Sequence, residues 1–299
     1  MSALKLAILA AVIACWAGAP ILAQPGPASA NGRSWTSQGE TVWIDEPNGR
    51  LKTRVYRSAR LSPSPVLILV VHGDIPRPPP DYQYVFAQIA AGASENVVAA
   101  GVLRPGYADS QGDRSSGDMG YAVGDNYTAE VVDALDMAVS TLKARYHAGA
   151  VILVGHSGGA AIVADLLGRH PNSANGAVLV ACGCDPSGFM ARWIATHPFF
   201  PRHVPNRSLL PLQLAPQVSR QTRVRMVVGS LDDVAGLEPT QAYARALTDN
   251  GVDAKLVVAP GLGHNILLSA PVFQALSELI DRQGGSMSPP RLAPGPAHP

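Results

Sequence analysis

Two kinds of hydrophobic pattern alternate along this chain. Short apolar runs occur at 65–71 (PVLILVV), 96–103 (NVVAAGVL), 150–154 (AVILV), 177–181 (AVLVA), 224–228 (VRMVV) and 255–259 (KLVVA). The first is continuously apolar, as a strand buried on both faces must be, and 96–103 reads as the next buried strand. Between the runs, apolar residues recur at helical spacing. The clearest case spans 127–146, where Val131, Leu135, Val139, Leu142 and Tyr146 follow one another at intervals of 4, 4, 3 and 4. That spacing keeps them on one face of a helix. The segments 84–92, 158–169, 238–251 and 270–282 read as further helices, and ETVWID (40–45) and LKTRVYR (51–57) as an opening pair of antiparallel strands. Strands alternating with helices predict an α/β class fold: a doubly wound, mostly parallel sheet with helices on both faces. Ligands in such sheets bind beyond the carboxyl ends of the strands, so chemistry is expected just after each run.

Composition sets the limits of the domain. With 299 residues, 47% apolar and 15% charged, the chain can build one sizeable core and still leave tails. Residues 1–30 have the layout of an export leader. Lys5 precedes the apolar stretch LAILAAVIACWAGAPILA, and small residues offer cleavage after Ala23 or Ala30. Pro20 interrupts that stretch short of the ~20 residues a membrane span needs. Apolar residues also continue past Cys15, against a lipid-modified cysteine. The expected product is secreted or periplasmic, with no membrane span once the leader is gone. The stretches 24–33 and 283–299 are rich in Pro, Gly, Ala and Ser and read as flexible tails around a domain at 34–282. Residues 1–30 carry one Lys and no acid, so the remaining chain balances at 22 basic and 22 acidic residues. Nothing in this balance suggests a nucleic-acid partner, which needs a basic stripe, and none is expected. Cys182 and Cys184 stand in ACGCD. A C-x-C ring is tight, so two buried thiols at a strand end are expected, although export would permit a disulfide. Two cysteines with no second ligand pair make no zinc site. Neither metal nor cofactor is expected.

Three strand ends carry candidate chemistry. Gly155-His156-Ser157-Gly158-Gly159 follows AVILV and fits G-x-S-x-G, a sharp strand-to-helix turn that lifts a serine above the sheet. A serine hydroxyl needs a base to take its proton. The run VRMVV leads into Gly229-Ser230-Leu231-Asp232-Asp233, and KLVVA into Pro260-Gly261-Leu262-Gly263-His264-Asn265. Ser157, Asp232 and His264 thus arrive in the order nucleophile, acid, base. For an oxyanion hole, one N–H is expected from Gly158 and the other from the loop after LILVV, with Asp74 chosen ahead of Gly73. The segment IPRPPP that follows would stiffen this loop. His156 and His72 are expected to support the site. His147, His170, His197, His203 and His298 are read as surface or capping residues.

Over about residues 40–282 the chain resembles the α/β-hydrolase fold superfamily. The carrying motifs are HGD (72–74), RPGYADSQG (104–112), GHSGG (155–159), GSLDD (229–233) and GLGHN (261–265). The resemblance implies hydrolysis of esters, amides or related bonds, with no cofactor or metal. It implies a short lid at about 183–222, with Trp193, Phe199 and Phe200 forming an apolar cover. It also places Arg104 and Tyr107 beside the site mouth, where structural hydrogen bonding is their expected role. Two departures matter. There is no HGGG, and the proline usual soon after the acid motif is missing, which keeps Asp233 open as the acid. The expected function is an exported serine hydrolase acting on a small or medium acyl ester, its partner a small-molecule acyl substrate. An exopeptidase or amidase on the same residues is the alternative, although Glu238 and Asp185 are only scattered anchors for a free amine. A non-catalytic binding protein of the same fold is the other alternative.

Overall fold

A computed structural model describes residues 39–75, 78–288 and 290. Residues 1–30, read above as a leader, the 24–33 stretch and most of 283–299 lie outside the described residues. Strands β1 (Glu40–Glu46) and β2 (Gly49–Arg57) form the opening antiparallel pair. β3 (Val66–Val71), β5 (Val97–Val102), β6 (Ala150–His156), β7 (Gly176–Val180), β8 (Arg223–Gly229) and β9 (Asp253–Ala259) complete an eight-stranded sheet. Its order is β1-β2-β5-β3-β6-β7-β8-β9, parallel from β5 onward, with β2 antiparallel to β5.

Every residue of β3, β5 and β6 is buried, which explains their uninterrupted apolar sequences. β9 lies at the edge and alternates in exposure, with Lys255 pointing outward. One face is covered by α1 (Tyr82–Gly92) and α7 (Ala270–Asp281), joined by a Phe86–Phe273 stack at 4.7 Å. The other face carries α2 (Ala129–Arg145), α3 (Gly158–Arg169) and α6 (Leu237–Asp249), with Leu135, Leu142, Ile162, Leu166 and Leu247 packed against the sheet. From β3 the chain goes to one side (β5) and then crosses to the other (β6), so the winding reverses beside β3. Loops leave that crevice in opposite directions, which opens room for a ligand.

The 183–222 segment holds short pieces: α4 (Pro186–Thr196), the single turn α5 (Pro211–Leu214) and a 3₁₀ turn at Ala215–Gln217. Phe200 and Val204 pack with Val123, while Phe199 is exposed.

Two expectations need correction. Cys182 and Cys184 are not free thiols but a disulfide. Ala181 adopts a left-handed conformation (φ 46°) at the end of β7, and the chain turns there. The two Cα atoms come to 5.1 Å, a span that a disulfide bridges. The second correction concerns the tail, which does not begin at 283. Ser286–Met287 (β10) pairs antiparallel with Ser94–Glu95 (β4), and Met287 is buried. Ser288 N–H donates to Ala93 O, Ser277 Oγ–H to Met287 O and Asn96 Nδ2–H to Gly284 O. One buried side chain and these bonds order a stretch whose composition alone would not.

Among the described residues no helix is long and apolar enough to cross a membrane. Nor do any three or more His, Cys, Asp or Glu residues there form a group suited to a metal ion.

Candidate active site

Between β6 and α3 stands a single residue, Ser157, at φ 54° and ψ −123°. A serine with positive φ is strained and persists only where its surroundings hold it. Here Ser157 N–H donates to Val180 O at 2.9 Å, and Ser157 O accepts from Ala160, Ala161 and Gly183. The turn also requires close approach. A Cβ on Gly155 would lie 2.5 Å from the Ala160 Cα, and one on Gly73 would lie 2.8 Å from the Ser157 Cβ.

The three strand ends converge as the sequence order required. Ser157 Oγ is 2.9 Å from His264 Nε2, and His264 Nδ1 is 3.0 Å from both oxygens of Asp232. Asp232 Oδ1 also accepts the N–H groups of Val234 and Ala235. Asp233 is exposed and makes no hydrogen bond with His264, whereas Asp232 does. Burial works to raise the Asp232 pKa, but the His264 hydrogen bond and the two backbone donors outweigh it and hold the carboxyl below its ordinary value. An ionised carboxylate only accepts, so His264 must carry its proton on Nδ1. Its Nε2 lone pair then faces the serine hydroxyl.

The loop after β3 holds the two residues considered as the second oxyanion donor. Gly73 N–H is taken by the Tyr82 hydroxyl at 2.5 Å, which removes Gly73 as the second choice. Gly73 O accepts from His72 Nδ1 at 2.8 Å, while His72 Nε2 accepts the Arg104 N–H at 3.0 Å. Burial, followed by the Arg104 charge, pushes His72 well below its usual pKa and keeps it neutral for both roles. In a trans peptide the N–H points opposite the C=O, so holding Gly73 O sets the direction of the Asp74 N–H. No hydrogen bond among the described residues uses that N–H. Gly158 N–H, in the first turn of α3, likewise has no intrahelical acceptor. Both residues line the cavity that holds Ser157.

The Asp74 carboxylate is fully engaged elsewhere. It accepts from Arg104 Nη1 (2.8 Å), Tyr107 Oη (3.3 Å), Gly124 N (2.9 Å) and Tyr127 Oη (2.8 Å). The Asp74 and Arg104 side chains are 7% and 3% exposed, so this is a buried ion pair. Arg104 and Tyr107 therefore have the structural role expected of them. Sequence reasoning missed Tyr82 and Tyr127, ordinary aromatics until the fold sets them beside residues 9 and 53 positions away.

The cavity measures about 20 Å³, room for about one or two waters. Besides Ser157, Gly158, Asp74 and Tyr127, its walls are Gly183, Asp185, Pro186, Phe189, Val234 and Ala235. Asp185 caps α4 by accepting the Gly188 N–H. Glu238, the other acidic candidate, does not line it.

A protein-family model described as serine aminopeptidase, S33, matches residues 108–226, which include the Ser157 turn but not Asp232 or His264. No curated protein sequence matches the chain. Among solved structures, a bacterial brefeldin A esterase, homologous to human hormone-sensitive lipase, superposes with a TM-score of 0.64 at 19% identity, covering 94% of this chain and 84% of that one. A puromycin-hydrolysing peptidase of Mycobacterium tuberculosis gives 0.62 at 18%, covering 84% and 40%. A thermostable carboxyl esterase from Bacillus coagulans gives 0.58 at 18%, covering 83% and 98%. The chain thus spans less than half the length of the peptidase chains it matches. At these identities the likeness is one of fold.

Proposed function

We propose that the chain, whose fold is that of the α/β hydrolases, is a serine hydrolase cleaving small acyl esters. The carrying observation is the unbroken relay Ser157–His264–Asp232, each member delivered by a different strand end. Ser157 Oγ attacks the ester carbonyl while His264 Nε2 takes its proton, and Asp232 stabilises the imidazolium that forms. Charge developing on the carbonyl oxygen meets the N–H groups of Asp74 and Gly158. One such donor is worth about 3 kcal/mol in the transition state. His264 then protonates the departing alkoxide, and water, activated by the same imidazole, hydrolyses the acyl-serine. The walls that Pro186 and Phe189 place beside Ser157 favour a short acyl group.

A second reading has one observation in its favour: Asp185, whose carboxylate caps α4, is an acidic residue among those lining the cavity. On that reading the enzyme is an exopeptidase using the same relay. Kinetics with p-nitrophenyl acetate, p-nitrophenyl octanoate and aminoacyl p-nitroanilides separate the two. The ester reading expects the acetate to be preferred, and a preference for the anilides would replace it. The leader-like layout of residues 1–30 in the sequence and the Cys182–Cys184 disulfide support an exported enzyme.

A further inference from the structure

The residue before the nucleophile, His156, is 6% exposed and is used by neither the relay nor the donors of the oxyanion hole. Its Nε2 lies 3.1 Å from the carbonyl oxygen of His264, and its Nδ1 lies 3.1 Å from the Tyr82 hydroxyl. That hydroxyl is also 2.5 Å from Gly73 N. The direction of each bond follows from the one partner that cannot donate. A carbonyl only accepts, so His156 donates from Nε2. Burial and the neighbouring His264 push its pKa down to about 3, so the ring is neutral and Nδ1 is a bare acceptor. Tyr82 must therefore donate to Nδ1, and its oxygen is left to accept the Gly73 N–H.

We propose that Tyr82 and His156 form a positioning bridge that ties the Asp74 loop to the His264 loop across the nucleophile strand. The inference rests on the serine-hydrolase reading given above. Gly73 N–H, Tyr82 O–H, His156 and His264 O make one chain of hydrogen bonds, and Ser157 is covalently next to its centre. The two ends are the loops whose relative placement decides whether the oxyanion donor and the base meet the same substrate atom pair. The Tyr82 end is rigid, because Tyr82 is the first residue of α1, which is docked on the sheet through Phe86 and Ile89. The Tyr82 and His156 rings also meet edge to face at 5.4 Å. Neither residue touches the reacting atoms, so the bridge acts through the Gly73–Asp74 peptide and the His264 backbone.

Tyr82→Phe keeps the ring and deletes the link. His156→Leu deletes it from the other side, and His156→Gln offers one amide that can donate to His264 O and accept from Tyr82. Measured on p-nitrophenyl acetate, Tyr82→Phe and His156→Leu are expected to lower kcat by about tenfold to a hundredfold, below the ~10²–10³ of losing an oxyanion donor outright. KM should stay within about twofold, since ground-state binding does not use the bridge. His156→Gln should recover kcat to within about threefold of wild type. The double variant Tyr82→Phe/His156→Leu should be no worse than the poorer single, because the bridge works as a unit. Wild-type kcat in either single variant, or losses that multiply in the double, overturns the bridge. Should Tyr82→Phe fail to fold by thermal unfolding, equal kcat in His156→Gln and His156→Leu overturns it instead. A folded wild type that neither turns over the ester nor reacts with a fluorophosphonate sinks the serine-hydrolase reading, which is a separate result.

Discussion

Replacing Asp232 by Asn changes almost no volume but reverses the proton logic of the relay. Asp232 now accepts from His264 Nδ1 through both oxygens, and Oδ1 also takes the Val234 and Ala235 N–H groups. In Asp232→Asn the amide oxygen will stay with those two backbone donors, leaving the amide NH₂ facing His264. His264 Nδ1 must then accept, its proton moves to Nε2, and the nitrogen 2.9 Å from Ser157 Oγ can no longer act as a base. The imidazolium also loses its counter-charge. The expected loss in kcat is about 10³–10⁴ with KM little changed, roughly 4–5 kcal/mol of transition-state stabilisation. Asp233→Asn is the control, because Asp233 is exposed and outside the relay; it should stay within about twofold of wild type. Steady-state kinetics on p-nitrophenyl acetate at pH 7, with thermal unfolding to confirm the fold, read both variants. A large loss in Asp233→Asn with little in Asp232→Asn would refute the reasoning and move the acid one residue along.

Arg104→Leu should cost about 3–5 kcal/mol of stability by leaving the buried Asp74 carboxylate without its cation; denaturant unfolding measures it, and a loss under about 1 kcal/mol would contradict a buried pair. Asp165 is fully buried in α3 with neither carboxyl oxygen hydrogen-bonded among the described residues, and burial raises its pKa well above the ordinary value. A raised pKa means that its contribution is most favourable below the unfolded value of ~3.9 and is lost as pH rises toward the folded one. Asp165→Leu is therefore expected to raise the melting temperature at pH 7 and to gain less at pH 4, and a lower melting temperature at pH 7 would count against it. Phe189→Ala removes a wall of the cavity beside Ser157, so kcat/KM for p-nitrophenyl octanoate should rise relative to the acetate. An unchanged chain-length profile would mean that Phe189 does not limit the acyl group.

The relay was legible in the sequence because each member sits directly after an apolar run. The sheet order places the ends of β6, β8 and β9 on one side, and parallel strands bring their carboxyl ends to one rim. Asp74 was legible for the same reason, following β3. What was hidden depends on contacts between distant stretches. The Asp74 carboxylate is neutralised by Arg104, 30 residues on. The Tyr82 hydroxyl reaches His156 over 74 residues. Neither tyrosine has a pattern that sets it apart from an aromatic in a packed helix or loop. The disulfide escaped because a C-x-C spacing disfavours closure unless the chain turns, and the left-handed Ala181 that turns it is not written in residue type. Met287 escaped because its Gly- and Ser-rich surroundings outweigh one apolar residue in any compositional reading, although that residue is buried.

Intact mass after exposure to a fluorophosphonate reads directly whether Ser157 is an activated nucleophile. One adduct is expected on the wild type, none on Ser157→Ala and little on His264→Ala. A folded wild type that stays unmodified, or an adduct that persists in Ser157→Ala, would contradict an activated Ser157.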